Sequence, residues 1–205
     1  MIAIIDYGVG NLFSLSSSLL AIGQEVVVTS DKDVISGAER IILPGVGAFA
    51  DAIAKLRDTG LDRVVIEEAG KGKPIMGICL GMQLLFEKSY EYGEHTGLGL
   101  IKGSIIPIKE RVSHELKIPH IGWNKIYHNK EHELLKYTPD GEFVYFVHSY
   151  FADGCDDSLL TYTEYGEKIT ASVVYKNVYG AQFHPEKSGT VGLNLLRAFC
   201  EWEGN

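Results

Sequence analysis

The amino-acid sequence predicts an α/β fold: a doubly wound, mostly parallel or mixed sheet with flanking helices. Two observations predict this fold. In the first half of the chain, short apolar runs of strand length alternate with segments of helical periodicity, the order that builds parallel strands covered by helices. In the second half, several strand-like runs follow one another with turn residues between them, as at Asp140-Gly141 and Tyr165-Gly166.

The predicted elements follow in chain order. We expect strands at Ile2–Ile5, Glu25–Val28, Arg40–Leu43 and Ile75–Ile78, and helices at Asn11–Ile22, about Phe49–Arg57 and about Leu80–Phe86. The second half contains strand-like runs that include Phe143–Phe151, Ile169–Tyr175 and a run ending at Ala181–Phe183. The chain closes with a predicted helix near Thr190–Trp202, in which Leu195, Phe199 and Trp202 fall on one face.

The composition is that of an ordinary soluble globular protein. The chain has 205 residues, of which 45% are hydrophobic and 22% charged, and its net charge is −8. An acidic chain without a run of Lys and Arg does not suit nucleic acid. Asp6 interrupts the first apolar run, so we expect no signal peptide, and no stretch approaches the roughly 18 apolar residues of a membrane helix. The three widely spaced cysteines predict no disulfide framework or zinc motif and favour a reducing, cytoplasmic setting.

A nucleophile is predicted at Cys79. The segment Gly77–Gly81 has the pattern Gly-x-Cys-x-Gly between a predicted strand and a predicted helix, which is the cysteine form of the nucleophile elbow. Small flanking residues allow the tight turn, the helix dipole favours a negatively charged nucleophile, and the N–H of Leu80 would face a developing oxyanion. The alternative is a buried core cysteine. Cys155 and Cys200 lack glycine flanks after a strand, so we interpret both as structural.

A general base is predicted at His184. A cysteine nucleophile needs an imidazole within reach, and the imidazole needs a carboxylate that orients it. His184-Pro185-Glu186 supplies both groups, and in an extended segment residues i and i+2 point to the same side. Taken alone, the motif also fits a surface turn. His148 is an alternative base, but it has no acidic neighbour, so we favour a place lining the site for it.

Two further motifs carry little weight. His128–His132 matches the inverted zinc-protease pattern His-x-x-Glu-His, but the segment is almost wholly polar and adjoins a predicted strand, so a solvated turn is the better interpretation. Asp6–Asn11 follows a first strand and opens a helix, where a dinucleotide fingerprint would lie, but Phe13 occupies the position of the third glycine. The sequence therefore predicts no metal and no nucleotide cofactor.

The segment Cys79–Gln83, with His184–Glu186 far downstream, resembles the class I glutamine amidotransferases over essentially the whole chain. Further segments match one branch of that family, the glutaminases that serve a cyclase of histidine biosynthesis; they are Asp6–Asn11, Pro44–Phe49, His120–Asn124 and His184–Gly189. The resemblance implies a single glutamine amidotransferase domain over residues 1–205. It also implies that Cys79 attacks the amide carbon of glutamine and forms a glutamyl thioester, while His184 transfers protons and Glu186 orients the imidazole.

Other residues receive roles from the same resemblance. Val46 and Gly47 join Leu80 in the implied oxyanion hole, and we expect the turn that carries Val46 to rearrange before its N–H points inward. Gln83 lies one helical turn beyond Cys79 and can face the site. The implied substrate-binding residues are Gly47, Gln83, Glu91, Ser149 and Tyr150, and the implied partner-interface residues are Asn11, Trp123, Tyr145 and Lys187.

The resemblance also implies a partner. This partner is a cyclase with a (βα)8 barrel, which forms a heterodimer with the chain and receives ammonia that does not enter bulk water. The substrate of this chain is then L-glutamine alone. No cofactor is expected, because amide hydrolysis by this route is complete with side chains.

Three alternatives remain at this point. In the first alternative, the chain is a glutaminase for another synthase, such as anthranilate synthase; a different oxyanion turn and no Ile121–Asn124 segment would then be expected. In the second alternative, it is a stand-alone cysteine hydrolase of related fold, which would not need Gln83. In the third alternative, it is a non-enzymatic module that kept the fold. The intact Cys79, His184 and Glu186 argue against this alternative.

Overall fold

The computed structural model describes residues 1–204 and contains fourteen strands. They are β1 (Ile2–Ile5), β2 (Val26–Thr29), β3 (Arg40–Leu43), β4 (Ile75–Ile78), β5 (Phe86–Ser89), β6 (His95–Thr96), β7 (Ile101–Pro107), β8 (His120–Lys125), β9 (Tyr127–His128), β10 (Phe143–His148), β11 (Tyr150–Asp153), β12 (Leu159–Tyr165), β13 (Glu167–Tyr175) and β14 (Val178–Ala181). Eight of them form the main sheet in the order β2-β1-β3-β4-β14-β13-β12-β9, β8 pairs with β10, and β11-β7-β5-β6 form a third sheet.

Six α-helices accompany the strands: α1 (Leu12–Ala21), α2 (Lys32–Gly37), α3 (Phe49–Asp58), α4 (Leu61–Gly70), α5 (Leu80–Leu84) and α6 (Gly189–Glu201). Short 3₁₀ turns cover Ile108–Glu110, Glu133–Leu135 and Pro185–Lys187. The pattern of buried residues in α3, which are Phe49, Ala52, Ile53 and Leu56, repeats at helical spacing. Within residues 1–204, no helix has the length and apolar character needed to cross a membrane.

The α/β prediction is confirmed. The strands from β2 to β14 along the main sheet run parallel, and β13, β12 and β9 extend it with antiparallel pairs. Helices cover both faces of the main sheet, and alternate residues of its strands therefore enter two different core clusters. In β1, Ala3 and Ile5 pack into one core cluster, while Ile2 and Ile4 pack into the other. The closing helix buries its predicted face in the second cluster, through Leu195 and Phe199, with Trp202 just beyond its end.

Several predicted boundaries are wrong. The helix expected over Leu80–Phe86 ends at Leu84, because the N–H groups of Leu98, Leu100 and Ile101 donate to the carbonyl oxygens of Leu84 and Leu85. Phe86 instead starts a strand that pairs with Ile101. The strand expected over Glu25–Val28 lies one residue later, and the run expected to end at Ala181–Phe183 ends at Ala181.

The predicted run Phe143–Phe151 is also divided. It breaks at Ser149 into β10 and β11, which pair with β8 and β7 in two different sheets. Burial alternates regularly along β10 and loses its phase beyond His148, because β11 faces a different set of neighbours. The break leaves Ser149 and Tyr150 at the junction of two sheets, where both residues line a cavity that also contains Cys79.

Candidate active site

Three neighbouring parallel strands end at the same edge of the main sheet. In their register Leu43 of β3 lies opposite Gly77 of β4, and Ile78 of β4 lies opposite Ala181 of β14. The residues after these strand ends therefore meet. They are the Pro44–Gly47 turn after β3, Cys79 after β4, and Gln182–Glu186 after β14. The carboxyl ends of adjacent parallel strands are where open α/β sheets place their functional groups.

The backbone at Cys79 has the strain expected of a nucleophile elbow. Its φ of 53° and ψ of −112° lie in a region that L-residues rarely adopt. Gly81 permits the turn to pack against β3, because a Cβ atom there would overlap the Leu43 carbonyl oxygen. Gly45 is in similarly close contact, since a Cβ atom there would lie 2.6 Å from the Gly81 nitrogen. The glycines of the two turns are thus needed for the close approach of the backbones that frame Cys79.

A cavity of about 490 Å³ opens over Cys79, whose side chain is largely buried. The cavity is lined by the predicted nucleophile, the predicted base and every residue to which a substrate-binding or oxyanion role was assigned; these are Cys79, His184, Val46, Gly47, Leu80, Gln83, Glu91, Ser149 and Tyr150. Its size fits a small-molecule substrate. The residues singled out from the sequence therefore converge on one cavity.

His184 and Glu186 form a buried pair. Nδ1 of His184 lies 2.8 Å from Oε1 of Glu186, and both side chains are only 3% exposed. The route by which they meet differs from the prediction, since His184 is extended but Pro185–Lys187 forms a 3₁₀ turn. That turn returns the Glu186 carboxylate to the imidazole. Oε2 of Glu186 is buried and has no hydrogen-bond partner among the residues that the structure describes.

The pKa of His184 is raised by its partners. Burial by itself lowers this pKa, but hydrogen bonds with the Cys79 thiol and the Glu186 carboxylate outweigh burial and hold the pKa above its ordinary value. The imidazole is therefore a good acceptor for the thiol proton. The backbone is held as well: the N–H of His184 donates to the Tyr145 carbonyl oxygen at 2.9 Å, and the Ser188 hydroxyl donates to the His184 carbonyl oxygen at 2.6 Å.

His148 lines the same cavity but does not have the environment of a base. Its Nδ1 lies 2.8 Å from the Tyr150 carbonyl oxygen and its Nε2 lies 3.0 Å from Nδ1 of His120, so both ring nitrogens are engaged. Burial lowers the pKa of His148 to about 3. An imidazole that stays neutral and fully hydrogen-bonded is suited to holding neighbouring groups in place.

The predicted substrate-binding residues differ in how they are held. Both contacts of Gln83 run through Nε2, to the Tyr150 carbonyl oxygen at 3.3 Å and to Oε1 of Gln182 at 3.0 Å. Glu91 accepts a hydrogen bond from the N–H of Phe49 at 2.5 Å, which ties the loop after β5 to the first turn of α3. The sequence predicted an irregular loop at Glu91, and this contact explains how such a loop keeps a side chain at the cavity.

The Pro44–Gly47 turn, to which an oxyanion role was assigned, is lightly held and is exposed at Val46 and Gly47. Val46 is 42% exposed, and Gly47 has a φ of 100°. The turn is fixed at its start, where the Tyr7 hydroxyl donates to the Pro44 carbonyl oxygen at 2.7 Å. Among residues 1–204, no carbonyl accepts a hydrogen bond from the Val46 N–H. The peptide before Val46 is thus free of a backbone hydrogen bond that would oppose its rotation.

Three of the predicted interface residues contact one another. Lys187 lies with its Nζ 5.8 Å from the centre of the Tyr145 ring, and Tyr145 packs edge-on to Trp123 at 6.2 Å. These three residues form one surface on the β8–β10 pair, to which Trp123 and Tyr145 belong, and Trp123 is 55% exposed. Asn11 lies immediately before α1 and lines a small cavity of about 10 Å³ together with Glu186, the residue before Lys187.

The structure also shows residues that sequence reasoning missed. Gln182 is completely buried, and its Nε2 lies 3.8 Å from the Cys79 sulfur. His120 is buried between the Phe146 and Tyr165 rings and contacts His148. A signal for Gln182 was available, since a polar residue at the end of a fully apolar strand is unusual. His120 lies in the His120–Asn124 segment that matches the family, but nothing local in the sequence indicates its contact with His148.

The remaining cysteines and the histidine-rich segment play no part in this cavity. Cys155 and Cys200 are buried free thiols, and burial raises the pKa of Cys155 to about 11 and that of Cys200 to about 12. In the segment His128–His132, β9 ends at His128 and a turn comes next, so the helix that the zinc motif requires is not formed. In residues 1–204, no group of three or more His, Cys, Asp or Glu side chains is arranged to hold a metal ion.

Comparisons with known proteins agree with this geometry. The family model for glutamine amidotransferase class-I matches residues 3–201. The chain is 52% identical to imidazole glycerol phosphate synthase subunit HisH of Aquifex aeolicus, with 96% of this chain and 94% of the relative covered. It is 51% identical to the subunit of the same name from Lactococcus lactis, with 98% of each covered.

Solved structures with lower sequence identity share the fold. One described as a glutamine amidotransferase has a TM-score of 0.76 at 18% identity, with 98% of both chains covered. The structure of PurLQS from Thermotoga maritima has a TM-score of 0.73 at 20% identity, with 98% of this chain and 97% of that chain covered.

Proposed function

This chain belongs to the glutamine amidotransferase class-I family, and on that premise we propose that it hydrolyses L-glutamine as the glutaminase subunit of an imidazole glycerol phosphate synthase. The observation that carries the proposal is the register of β4 and β14. It brings a strained cysteine and a His–Glu pair together over one cavity. Products of this subunit are glutamate and ammonia.

The proposed mechanism derives from the contacts of Cys79, His184 and Glu186. His184 takes the proton of the Cys79 thiol, and the sulfur attacks the amide carbon of glutamine to form a tetrahedral intermediate. His184 returns the proton to the departing nitrogen, which releases ammonia and leaves a glutamyl thioester on Cys79. The same imidazole then takes a proton from water, which attacks the thioester; the carbon–sulfur bond breaks, glutamate is freed, and the proton returns to the Cys79 sulfur. Glu186 holds Nδ1 and stabilises the imidazolium form, as its 2.8 Å contact allows.

The oxyanion that forms in both steps needs N–H donors. We assign this role to the N–H of Leu80, which comes directly after the nucleophile at the start of α5, and to the Val46–Gly47 turn. The substrate occupies the cavity beside Gln83, Glu91, Ser149 and Tyr150. Glu91 supplies a carboxylate there, which suits the α-ammonium group of an amino acid.

The partner in this proposal is a (βα)8-barrel cyclase that forms a heterodimer with the chain. The Trp123–Tyr145–Lys187 surface supports it, because Trp and Tyr side chains are enriched at protein interfaces. Asn11 would contact the same partner. The cyclase uses the ammonia to form imidazole glycerol phosphate and an aminoimidazole carboxamide ribonucleotide, which gives the complex its lyase activity in histidine biosynthesis.

Three further points belong to the proposal. Residues 1–205 form one domain, and the side chains of the cavity suffice for amide hydrolysis without a cofactor. We place the reaction in the cytoplasm, because a catalytic thiol must stay reduced.

Glutamate production tests the proposal. The wild-type chain with the cyclase and its nucleotide substrate is expected to convert glutamine to glutamate and to form imidazole glycerol phosphate in equal amounts. The matched Cys79→Ala complex is expected to form neither product from glutamine, and to form imidazole glycerol phosphate when ammonium salt is supplied. Glutamate production by the Cys79→Ala complex at the wild-type rate would contradict the mechanism.

A further inference from the structure

We propose that Gln182 is a further catalytic residue, which donates an N–H to the Cys79 sulfur, and that a buried hydrogen-bond network fixes its orientation. The proposal rests on Cys79 being the nucleophile of the proposed function. Nε2 of Gln182 lies 3.8 Å from the Cys79 sulfur, and the Gln182 side chain is completely buried. The amide reaches this position because Gln182 comes directly after β14, whose last residue lies opposite Ile78.

One atom determines the direction of every hydrogen bond in the network. The Tyr150 carbonyl oxygen can only accept, and it has two neighbours: Nε2 of Gln83 at 3.3 Å and Nδ1 of His148 at 2.8 Å. Both neighbours must therefore donate. This assignment removes the usual ambiguity between the two ends of an amide and between the two tautomers of a histidine.

On one side of this carbonyl, the assignment reaches the nucleophile. The amide nitrogen of Gln83 faces Tyr150, and the same nitrogen lies 3.0 Å from Oε1 of Gln182. Gln182 therefore turns its oxygen to Gln83 and its nitrogen to Cys79. A hydrogen-bond donor, rather than an acceptor, faces the sulfur.

On the other side, the assignment reaches the sheet surface. His148 donates from Nδ1, so its neutral ring accepts at Nε2, and Nδ1 of His120 must donate across the 3.0 Å between them. Nε2 of His120 then accepts from the Asn124 side-chain amide at 3.3 Å, which also donates to the Glu164 carbonyl oxygen at 3.0 Å. The pair of histidines is buried, so these bonds do not compete with bulk water.

The donor at Gln182 matters because negative charge develops on the sulfur twice. It develops when His184 removes the thiol proton, and again when the thioester breaks and the sulfur departs. A buried N–H aimed at the atom that gains charge stabilises the charged form more than the neutral form. Because Gln83 holds the Gln182 oxygen, the amide cannot rotate to present that oxygen to the sulfur without losing the 3.0 Å contact.

The network also specifies how Gln83 faces the cavity. Both contacts of Gln83 use its nitrogen, so Oε1 is the atom left for a ligand. A carbonyl oxygen accepts from the N–H groups of an amide or an ammonium group, both of which glutamine carries.

Alkylation of Cys79 tests the role of Gln182 without glutamine. Iodoacetamide is added to the full chain at neutral pH, and modification of the Cys79 peptide is measured over time by mass spectrometry. Gln182→Met removes the amide, and Gln182→Asn withdraws it by one methylene. Gln24→Met is the matched control, because Gln24 precedes the edge strand β2 and does not line the cavity. Loss of a hydrogen bond to a charged group predicts roughly tenfold slower alkylation in both Gln182 variants and no change in the control. With glutamine and the cyclase, kcat should fall by a similar factor with a smaller change in KM.

Thermal melting identifies which Gln182 variants are folded, and either folded variant decides the question. Wild-type alkylation and kcat in a folded Gln182 variant would overturn the proposal. Failure of the wild-type chain to hydrolyse glutamine would contradict the proposed function instead, and the alkylation rates would still report on the Gln182 donor.

Discussion

Ile78 and Ala181 lie opposite each other in parallel register, and the next residue on each strand, Cys79 and Gln182, enters the same cavity. The N–H of Cys79 also donates to the Ala181 carbonyl oxygen at 2.7 Å. The strained residue that we propose as the nucleophile is therefore fixed directly to the strand that leads to His184. Because the contact is between backbones, side-chain substitutions in the site test the chemistry without moving this frame.

The nucleophile is tested by substitution of Cys79. Cys79→Ser replaces the thiol with a hydroxyl of similar size. A hydroxyl lacks the acidity of a thiol, so we predict that glutaminase activity falls to background. The fold and partner binding should be unchanged, which circular dichroism and co-purification with the cyclase check. Substantial turnover in Cys79→Ser would show that the sulfur is not the attacking atom.

The base is tested by comparing two histidines in one cavity. His184→Ala removes the imidazole paired with Glu186, and proton transfer of this kind is worth ~10²–10⁴-fold in rate. His148→Ala should reduce kcat much less, because its ring is held by Tyr150 and His120. Glu186→Gln should be intermediate, since the amide retains some orientation and loses the charge. If His148→Ala were the more damaging substitution in steady-state assays, the base would be wrongly assigned.

We predict that the partner activates this subunit. The Val46 peptide is exposed and is not held by a hydrogen bond to a carbonyl in the described part of the chain, so it can rotate. Loss of one oxyanion donor lowers the rate ~10²–10³-fold, and a partner that binds the inward conformer more tightly restores it. Steady-state activity of the subunit alone, with cyclase, and with cyclase plus its nucleotide should rise in that order. Equal rates in all three would refute the switch.

Lys187 is expected to transmit part of this activation. Its ammonium group packs over Tyr145, and the Tyr145 carbonyl oxygen accepts from the His184 N–H, so this surface is joined to the proposed base. Lys187→Ala should reduce the stimulation by the cyclase while leaving Cys79 alkylation unchanged. Lys176→Ala, which removes a lysine beside Tyr175 at the far end of β13, is the control. Unchanged stimulation in Lys187→Ala would remove this residue from the coupling.

The buried histidine pair predicts acid sensitivity of the fold. Burial lowers the pKa of His120 to about 4 and that of His148 to about 3, while histidines in the unfolded chain titrate near ~6.5. Stability from these neutral rings is present above pH ~6.5 and is lost as the pH falls toward the folded-state values, by up to about 1.4 kcal/mol per pH unit for each ring. His184 has the opposite shift, so below pH ~6.5 it is protonated in both states and adds no slope.

Urea unfolding between pH 6.5 and pH 5 measures this effect. The free energy of unfolding should decrease as the pH is lowered, and His120→Asn should flatten the slope by up to one proton. A slope in His120→Asn equal to that of the wild type would contradict the titration behaviour assigned to the pair.

The close contact of the two turns predicts that Gly81 tolerates no side chain. Gly81→Ala should destabilise the fold by ~3 kcal/mol or more, because its Cβ atom would overlap the Leu43 carbonyl oxygen. Gly70→Ala in α4, where a Cβ atom meets nothing within 4 Å, should instead stabilise by ~0.5–1 kcal/mol. Thermal melting checks both expectations: the melting temperature should fall in Gly81→Ala and rise in Gly70→Ala.

The sequence predicted the parallel half of the fold because its strands are short and mainly apolar, and β1 and β4 are buried along their whole length. It missed α2, which has only six residues, and α4, whose buried positions include the charged Glu68. It also joined β10 to β11, because local alternation does not reveal that the next strand pairs in a different sheet. These misses share one cause: the structure of each segment depends on the elements that it packs against or pairs with, which the local sequence does not reveal.

The same distinction applies to the site. Cys79 and His184 carry local signals, a glycine-flanked elbow and a neighbouring acid, so their meeting could be predicted before the structure. Gln182 and His120 acquire their contacts only through the register of distant strands. The 3₁₀ turn that returns Glu186 to His184 was likewise hidden, since Pro185 favours an extended residue before it but constrains the residues after it much less.

The central claim is that glutamine hydrolysis passes through a covalent glutamyl group on Cys79. It is tested most directly by acid-quenching the complex with the cyclase and its nucleotide during turnover of isotopically labelled glutamine, then mapping the label on the digested chain. We predict label on the peptide that contains Cys79, none on those containing Cys155 or Cys200, and its disappearance once glutamine is exhausted. Glutamate accumulation without label on Cys79 at any quench time, or with label on another cysteine, would contradict the mechanism.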